Sequence, residues 1–105
     1  MCEHTKAAQK KIRNAHEHYG KARKAASASK PNPVKAMTHI RTGHNALTAA
    51  NSSVKQIPGG GFSGLEKVVT TSSDLYKTAN QNNVLSMLTT ISSVHTNISR
   101  FIPKN

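Results

Sequence analysis

Apolar residues recur along this chain at three- and four-residue spacing, in four blocks separated by clusters of Pro, Gly or Asn, and that pattern predicts an all-α fold. Wound at about 100° per residue, Ala8, Ile12, Ala15, Tyr19, Ala22 and Ala26 share one narrow side of a first helix over 5–29. Its small residues suit close packing against a partner helix. Pro31 disfavours helix at Lys30, and Asn32 with Pro33 supplies an N-cap and a first-turn proline for a second helix over 33–56. That helix gathers Met37, Ile40, His44, Leu47, Asn51 and Val54 on one face, with Ala36, Gly43 and Ala50 beside them. His44 and Asn51 need polar partners if buried. Gly43 costs a helix close to ~1 kcal/mol relative to Ala, and so marks close approach of another backbone.

The run I-P-G-G-G-F-S-G from Ile57 to Gly64 breaks the pattern, and 57–63 reads as a Gly-rich hinge. Ser63 and Glu66 have the spacing of a capping box, starting a third helix over 64–80 with Leu65, Val68, Val69, Ser72, Leu75, Tyr76 and Ala79 on one face. Continued in phase, Val84, Leu88 and Ile91 would fall on a different side, so the chain must break at Asn80-Gln81-Asn82-Asn83. A fourth helix over 83–102 then collects Val84, Met87, Leu88, Ile91, Val94, His95, Ile98 and Ile102, opposite a side made almost wholly of Ser and Thr. The expected architecture is a single helical domain over 1–105, a small bundle of about four helices built as two helical hairpins joined by the hinge. The short first link makes the first two helices antiparallel neighbours.

Composition sharpens this picture in two ways. Hydrophobic residues make up 35% of the chain, without Trp and with two Phe and two Tyr, so the core is thin and leans on close helix contacts or association. The formal charge is +11, and residues 1–30 hold eight basic against two acidic side chains. Such a field selects polyanions, nucleic acid before anionic lipid. The lone Cys2 makes no internal disulfide, the charged start from Glu3 to Arg13 is not followed by the apolar segment of a signal peptide, and no window has the ~18 apolar residues of a transmembrane span. A soluble, intracellular protein of cytoplasm, nucleoid or virion is expected.

The candidate chemistry lies on the first helix. Lys6, Lys10, Arg13, Lys21 and Lys24 form a ridge opposite the alanine face, about 27 Å long at 1.5 Å per residue. Lys11, Arg23 and Lys30 flank that face, Arg41 adds a charge on the outer side of the second helix, and Gly20 offers close approach to a phosphate. Few aromatics are present for stacking on single strands, so the backbone of a duplex, DNA or RNA, is the favoured partner. No metal site is expected from Cys2, His4, His16 and His18, because His16 and His18 face apart on a helix. No cofactor is expected either: the glycines lack phosphate-loop spacing. The four carboxylates Glu3, Glu17, Glu66 and Asp74 are not paired for acid–base work, so an enzyme is not expected. On the fourth helix Val84, Leu88, Ile91 and Ile98 are candidates for self-association into a homo-oligomer, and a membrane partner is unlikely because that helix carries no Lys or Arg before Arg100.

Phe62-Ser63-Gly64, set between two helical stretches, resembles the W-x-G turn of small secreted helical-hairpin proteins, with Phe in place of Trp. The match spans three residues, and what it implies is a rival of another class: a non-enzymatic helical interaction module such as an adaptor, secreted partner or membrane-surface protein. The leading expectation is a sequence-independent nucleic-acid-binding protein that self-associates to coat, compact or shield the polymer.

Overall fold

The structure, a computed structural model, describes residues 2–103. It holds α1 (Glu3–Ser27), α2 (Pro33–Val54), α3 (Leu65–Thr78), a 3₁₀ turn (Val84–Met87) and α4 (Leu88–Ser99), a small all-α bundle. α1 begins earlier than its apolar pattern because Cys2 serves as N-cap, its Sγ accepting from the Thr5 N–H at 3.4 Å. Asn32 caps α2 as expected, accepting from the Lys35 N–H at 3.0 Å.

Two expectations about helix starts are corrected. The capping box of Ser63 and Glu66 does not form; Gly64, at φ 92°, holds the N-cap position of α3 without a side-chain bond. Phe62, at φ 53°, precedes it in left-handed backbone, packed against Phe101 with ring centroids 6.5 Å apart. The helix entry is thus made by backbone geometry and an aromatic contact. The fourth helix does not start at residue 83 either. Asn80 Oδ1 accepts from the N–H groups of Asn82 and Asn83, Asn83 Oδ1 accepts from the Asn80 N–H at 2.7 Å, and Asn83 Nδ2 donates to the Thr78 carbonyl. This reciprocal turn uses up the Asn83 side chain, which leaves it unable to cap, and the chain tightens into the 3₁₀ turn before α4 begins at Leu88.

The four helices close into a ring in chain order, α1 against α2, α2 against α3, α3 against α4 and α4 back against α1. Extents of 44 × 28 × 17 Å follow from the long α1–α2 hairpin with the shorter pair packed over it. The face of α1 is the one its periodicity marks: Ala8, Ile12, Ala15, Tyr19 and Ala22 are fully buried. On α2 the buried face is turned toward the small residues Ala36, Gly43 and Ala50, while Met37, Asn51 and Val54 lie half-buried at its edge. The cause is the Tyr19 ring, which lies so close on the α2 backbone that a Cβ at Gly43 would stand 2.8 Å from Cδ2. Gly43 therefore does mark a close approach, by an aromatic ring with the Ala15 carbonyl behind it.

Val84, Ile91, Val94 and Ile98 join this same core, each fully buried, with Leu65, Val68 and Leu75 from α3. In the middle of it Tyr19 hydrogen bonds to Ser72, and Ser72 Oγ lies 2.9 Å from His44 Nδ1. No buried side-chain nitrogen or oxygen is left without a partner among the described residues.

Candidate nucleic-acid interface

The ridge expected on α1 is exposed as a whole: Lys6, Lys10, Arg13, Lys21 and Lys24 all face solvent, as do Arg23, Lys30 and Arg41. This follows from helix geometry once Ala8, Ile12, Ala15, Tyr19 and Ala22 point into the bundle. Among the described residues the ion pairs are those of Glu17, 4.0 Å from Lys21 Nζ and 4.0 Å from His18 Nε2. At that length and exposure they offset little of the positive field.

Lys11 differs from its neighbours. Its Nζ donates to Ser53 Oγ at 3.0 Å in a half-buried contact that ties α1 to α2, so the ammonium is turned from the ridge toward the hairpin seam. Gly20, expected to admit a phosphate, instead faces α4: a Cβ there would stand 3.1 Å from His95 Nε2. Its missing side chain makes room for the imidazole. The structure also places the four residues expected to self-associate. Val84, Ile91 and Ile98 are buried in the chain's own core and Leu88 is half-buried, because the bundle closes on itself.

Beyond the expected residues, the structure brings Lys35 and His39 of α2 next to Lys21, Lys24 and Lys30. Together with Ala25, Ala28 and Asn32 they line a cleft of about 470 Å³ at the turn between α1 and α2. The sequence carried a signal for this: in an antiparallel hairpin turning at Lys30, Lys21 and His39 are equidistant from the turn. His39 Nδ1 lies 3.0 Å from His18 Nδ1, which holds one imidazole as donor and the other as acceptor. Burial lowers the His39 pKa from its ordinary value, and His18, Lys21 and Lys35 lower it further against a small opposing effect of Glu17.

The other histidines mark helix seams. His16 of α1 stacks on His95 of α4 with centroids 4.2 Å apart, and His44 of α2 stacks on Tyr76 of α3 at 5.2 Å. Burial lowers the pKa of all three; His16 and Arg23 add to the effect at His95, and Lys77 adds to it at His44. The contact of Ser72 with His44 has the atoms of a nucleophile and its base, yet Ser72 is wholly buried and the imidazole has no carboxylate among its bonded partners. It serves to satisfy polar groups in the core.

Among the described residues no three His, Cys, Asp or Glu side chains gather as a metal set, and no helix is long and apolar enough to cross a membrane. Comparisons with protein-family models, curated proteins and solved structures return no match.

Proposed function

We propose that this chain is a non-enzymatic protein that binds duplex nucleic acid without reading its sequence, through phosphate contacts from the exposed side of α1. The observation that carries this reading is the ridge: Lys6, Lys10, Arg13, Lys21 and Lys24 stand exposed along one rigid helix, and Glu17 alone among the described acidic groups comes within ion-pair distance of any of them. A straight row of cations at helical spacing follows a phosphate backbone and releases its counterions, which gives affinity without base contacts. The duplex is favoured over single strands because the exposed basic side presents no aromatic platform; Tyr19 is buried and Phe62 packs on Phe101. Coating or shielding of a polymer then comes from chains bound side by side, and needs none of the apolar residues of α4.

Fluorescence-anisotropy titration against short duplex DNA, duplex RNA and single-stranded RNA, at low and physiological salt, tests the reading. Duplex binding that weakens steeply with salt supports it and selects the polymer. Absence of duplex binding at physiological salt overturns it.

A further inference from the structure

The cleft between the end of α1 and the start of α2 differs in kind from the ridge. Lys21 and Lys24, the end of the ridge, line it from α1, Lys30 from the turn and Lys35 from α2, so four lysines from both arms of the hairpin border one concavity. Among the described residues no carboxylate lines it. Its wall is cut back to Ala25 and Ala28, which leaves room between the lysines. The cleft is open to solvent, its volume of about 470 Å³ is that of a small-ligand site, and a concavity lined by one sign of charge raises the local concentration of anions.

Backbone at this end is arranged to the same effect. The N-terminus of α2 lies at this end, capped by Asn32 on the Lys35 N–H, and contributes its positive dipole end. The opposing carbonyls at the end of α1 are partly neutralised, since Ala25 O accepts from the Asn32 N–H at 2.9 Å and Arg23 O accepts from Ser27 Oγ at 2.8 Å. The imidazole of His39 lies on the cleft wall; burial is the main cause of its lowered pKa, and of the charged and titratable groups facing it His18 and Lys21 from α1 and Lys35 from its own helix lower it further, against Glu17 from α1.

We propose that this cleft is a phosphate site that takes a ligand with two or more closely spaced phosphate groups, and that it anchors the nucleic-acid strand which the ridge then follows. The inference rests on the nucleic-acid reading above and sharpens it from a surface to a site. The same chemistry is offered by a nucleic-acid backbone and by a soluble polyphosphate, so both belong in the test.

The full-length ¹⁵N-labelled protein is titrated with inorganic tripolyphosphate and, separately, with a short RNA duplex, following backbone amides and the His39 ring by NMR. Expected are shifts centred on Ala28, Lys30, Lys35 and His39 in both titrations, with the His39 imidazole titrating at higher pH once ligand is bound. Lys24→Ala with Lys35→Ala, both exposed, abolishes tripolyphosphate binding and weakens the duplex roughly tenfold or more at low salt. Lys6→Ala with Lys10→Ala weakens the duplex and leaves tripolyphosphate unchanged. Duplex binding with shifts spread along α1 and none at the cleft overturns the inference while the nucleic-acid reading stands. Tripolyphosphate seated in the cleft with no duplex binding overturns the nucleic-acid reading and supports the cleft as a site for a soluble polyphosphate. Unchanged titrations in the Lys24→Ala, Lys35→Ala variant overturn the inference outright.

Discussion

The hydroxyl of Tyr19 on α1 bonds to the hydroxyl of Ser72 on α3, joining two helices whose backbones do not approach one another. The bond spans the bundle diagonally, and His44 of α2 completes it at 2.9 Å from Ser72. A donor chain closes when Tyr19 donates to Ser72 and Ser72 donates to the unprotonated Nδ1 of His44. Three helices are thereby fixed at one buried point, in a core too rich in alanine to fix them by bulk.

Tyr19→Phe should destabilise the fold by about 1–3 kcal/mol, the usual cost of leaving a buried partner unsatisfied. Combined with Ser72→Ala, the loss should fall short of the sum of the two single changes, since the same bond is removed twice. Burial also pushes the Tyr19 phenol up to about 12, against the smaller opposing effect of its bond to Ser72. With the folded value above the ordinary 10.0, this stability is fully present below pH 10.0 and is lost as pH rises toward about 12. Ultraviolet titration of a Tyr76→Phe variant isolates the phenol; titration near 10 in the folded state would refute the burial argument.

Gly43→Ala sets helix propensity against packing. Alanine gains close to ~1 kcal/mol in a helix interior, but its Cβ would stand 2.8 Å from a Tyr19 ring that is fully buried and held by Ser72. Overpacking of that kind costs about 1–3 kcal/mol. The expected result is a net loss in urea unfolding, larger than that of Gly20→Ala, whose neighbour at 3.1 Å is the half-buried His95 ring. A more stable Gly43→Ala would show that the ring moves aside freely.

These two sites indicate what periodicity can reveal. The buried face of α1 and the break at Asn80–Asn83 were legible, because one follows from 3.6-residue winding and the other from a phase conflict. The rotation of α2 toward Ala36, Gly43 and Ala50 was not, since it depends on where one ring from another helix lands. The apolar side of α4 looked like a surface in search of a partner because a linear pattern does not say whether its cover lies in the same chain. For the same reason the ridge was visible residue by residue, whereas the cleft needed α1 and α2 folded together before Lys35 and His39 joined it.

Acid should loosen the bundle. Burial lowers His16, His39, His44 and His95 from the ordinary 6.5. The unfolded chain therefore takes up protons first as pH falls; the stability is full above pH 6.5 and is lost through the window beneath it until the folded imidazoles also protonate. His16 and His95 join α1 to α4 as a stacked pair, so protonating both sets like charges face to face. The urea midpoint should drop between about pH 7.5 and about pH 5, and His16→Gln with His95→Gln should flatten that drop. An equally steep fall in the double variant would exclude this pair as its source.

Within the proposed binding mode, Lys10 and Lys11 should behave differently although they are adjacent. Lys10 is exposed on the ridge, whereas the Lys11 ammonium donates to Ser53 on α2. Each phosphate contact contributes about −0.9 to the slope of log affinity against log salt on a duplex. Lys10→Ala with Arg13→Ala should therefore make the slope shallower by about 2, and Lys10→Glu with Arg13→Glu should abolish binding with the helical circular dichroism unchanged. Lys11→Ala should leave the slope as it is and lower the urea midpoint slightly, because it removes a half-buried bond between α1 and α2 and no phosphate contact. If Lys11→Ala reduces the slope as Lys10→Ala does, the polymer is bound over the α1–α2 seam, with Lys11 released from Ser53, and the outward ridge is not its track.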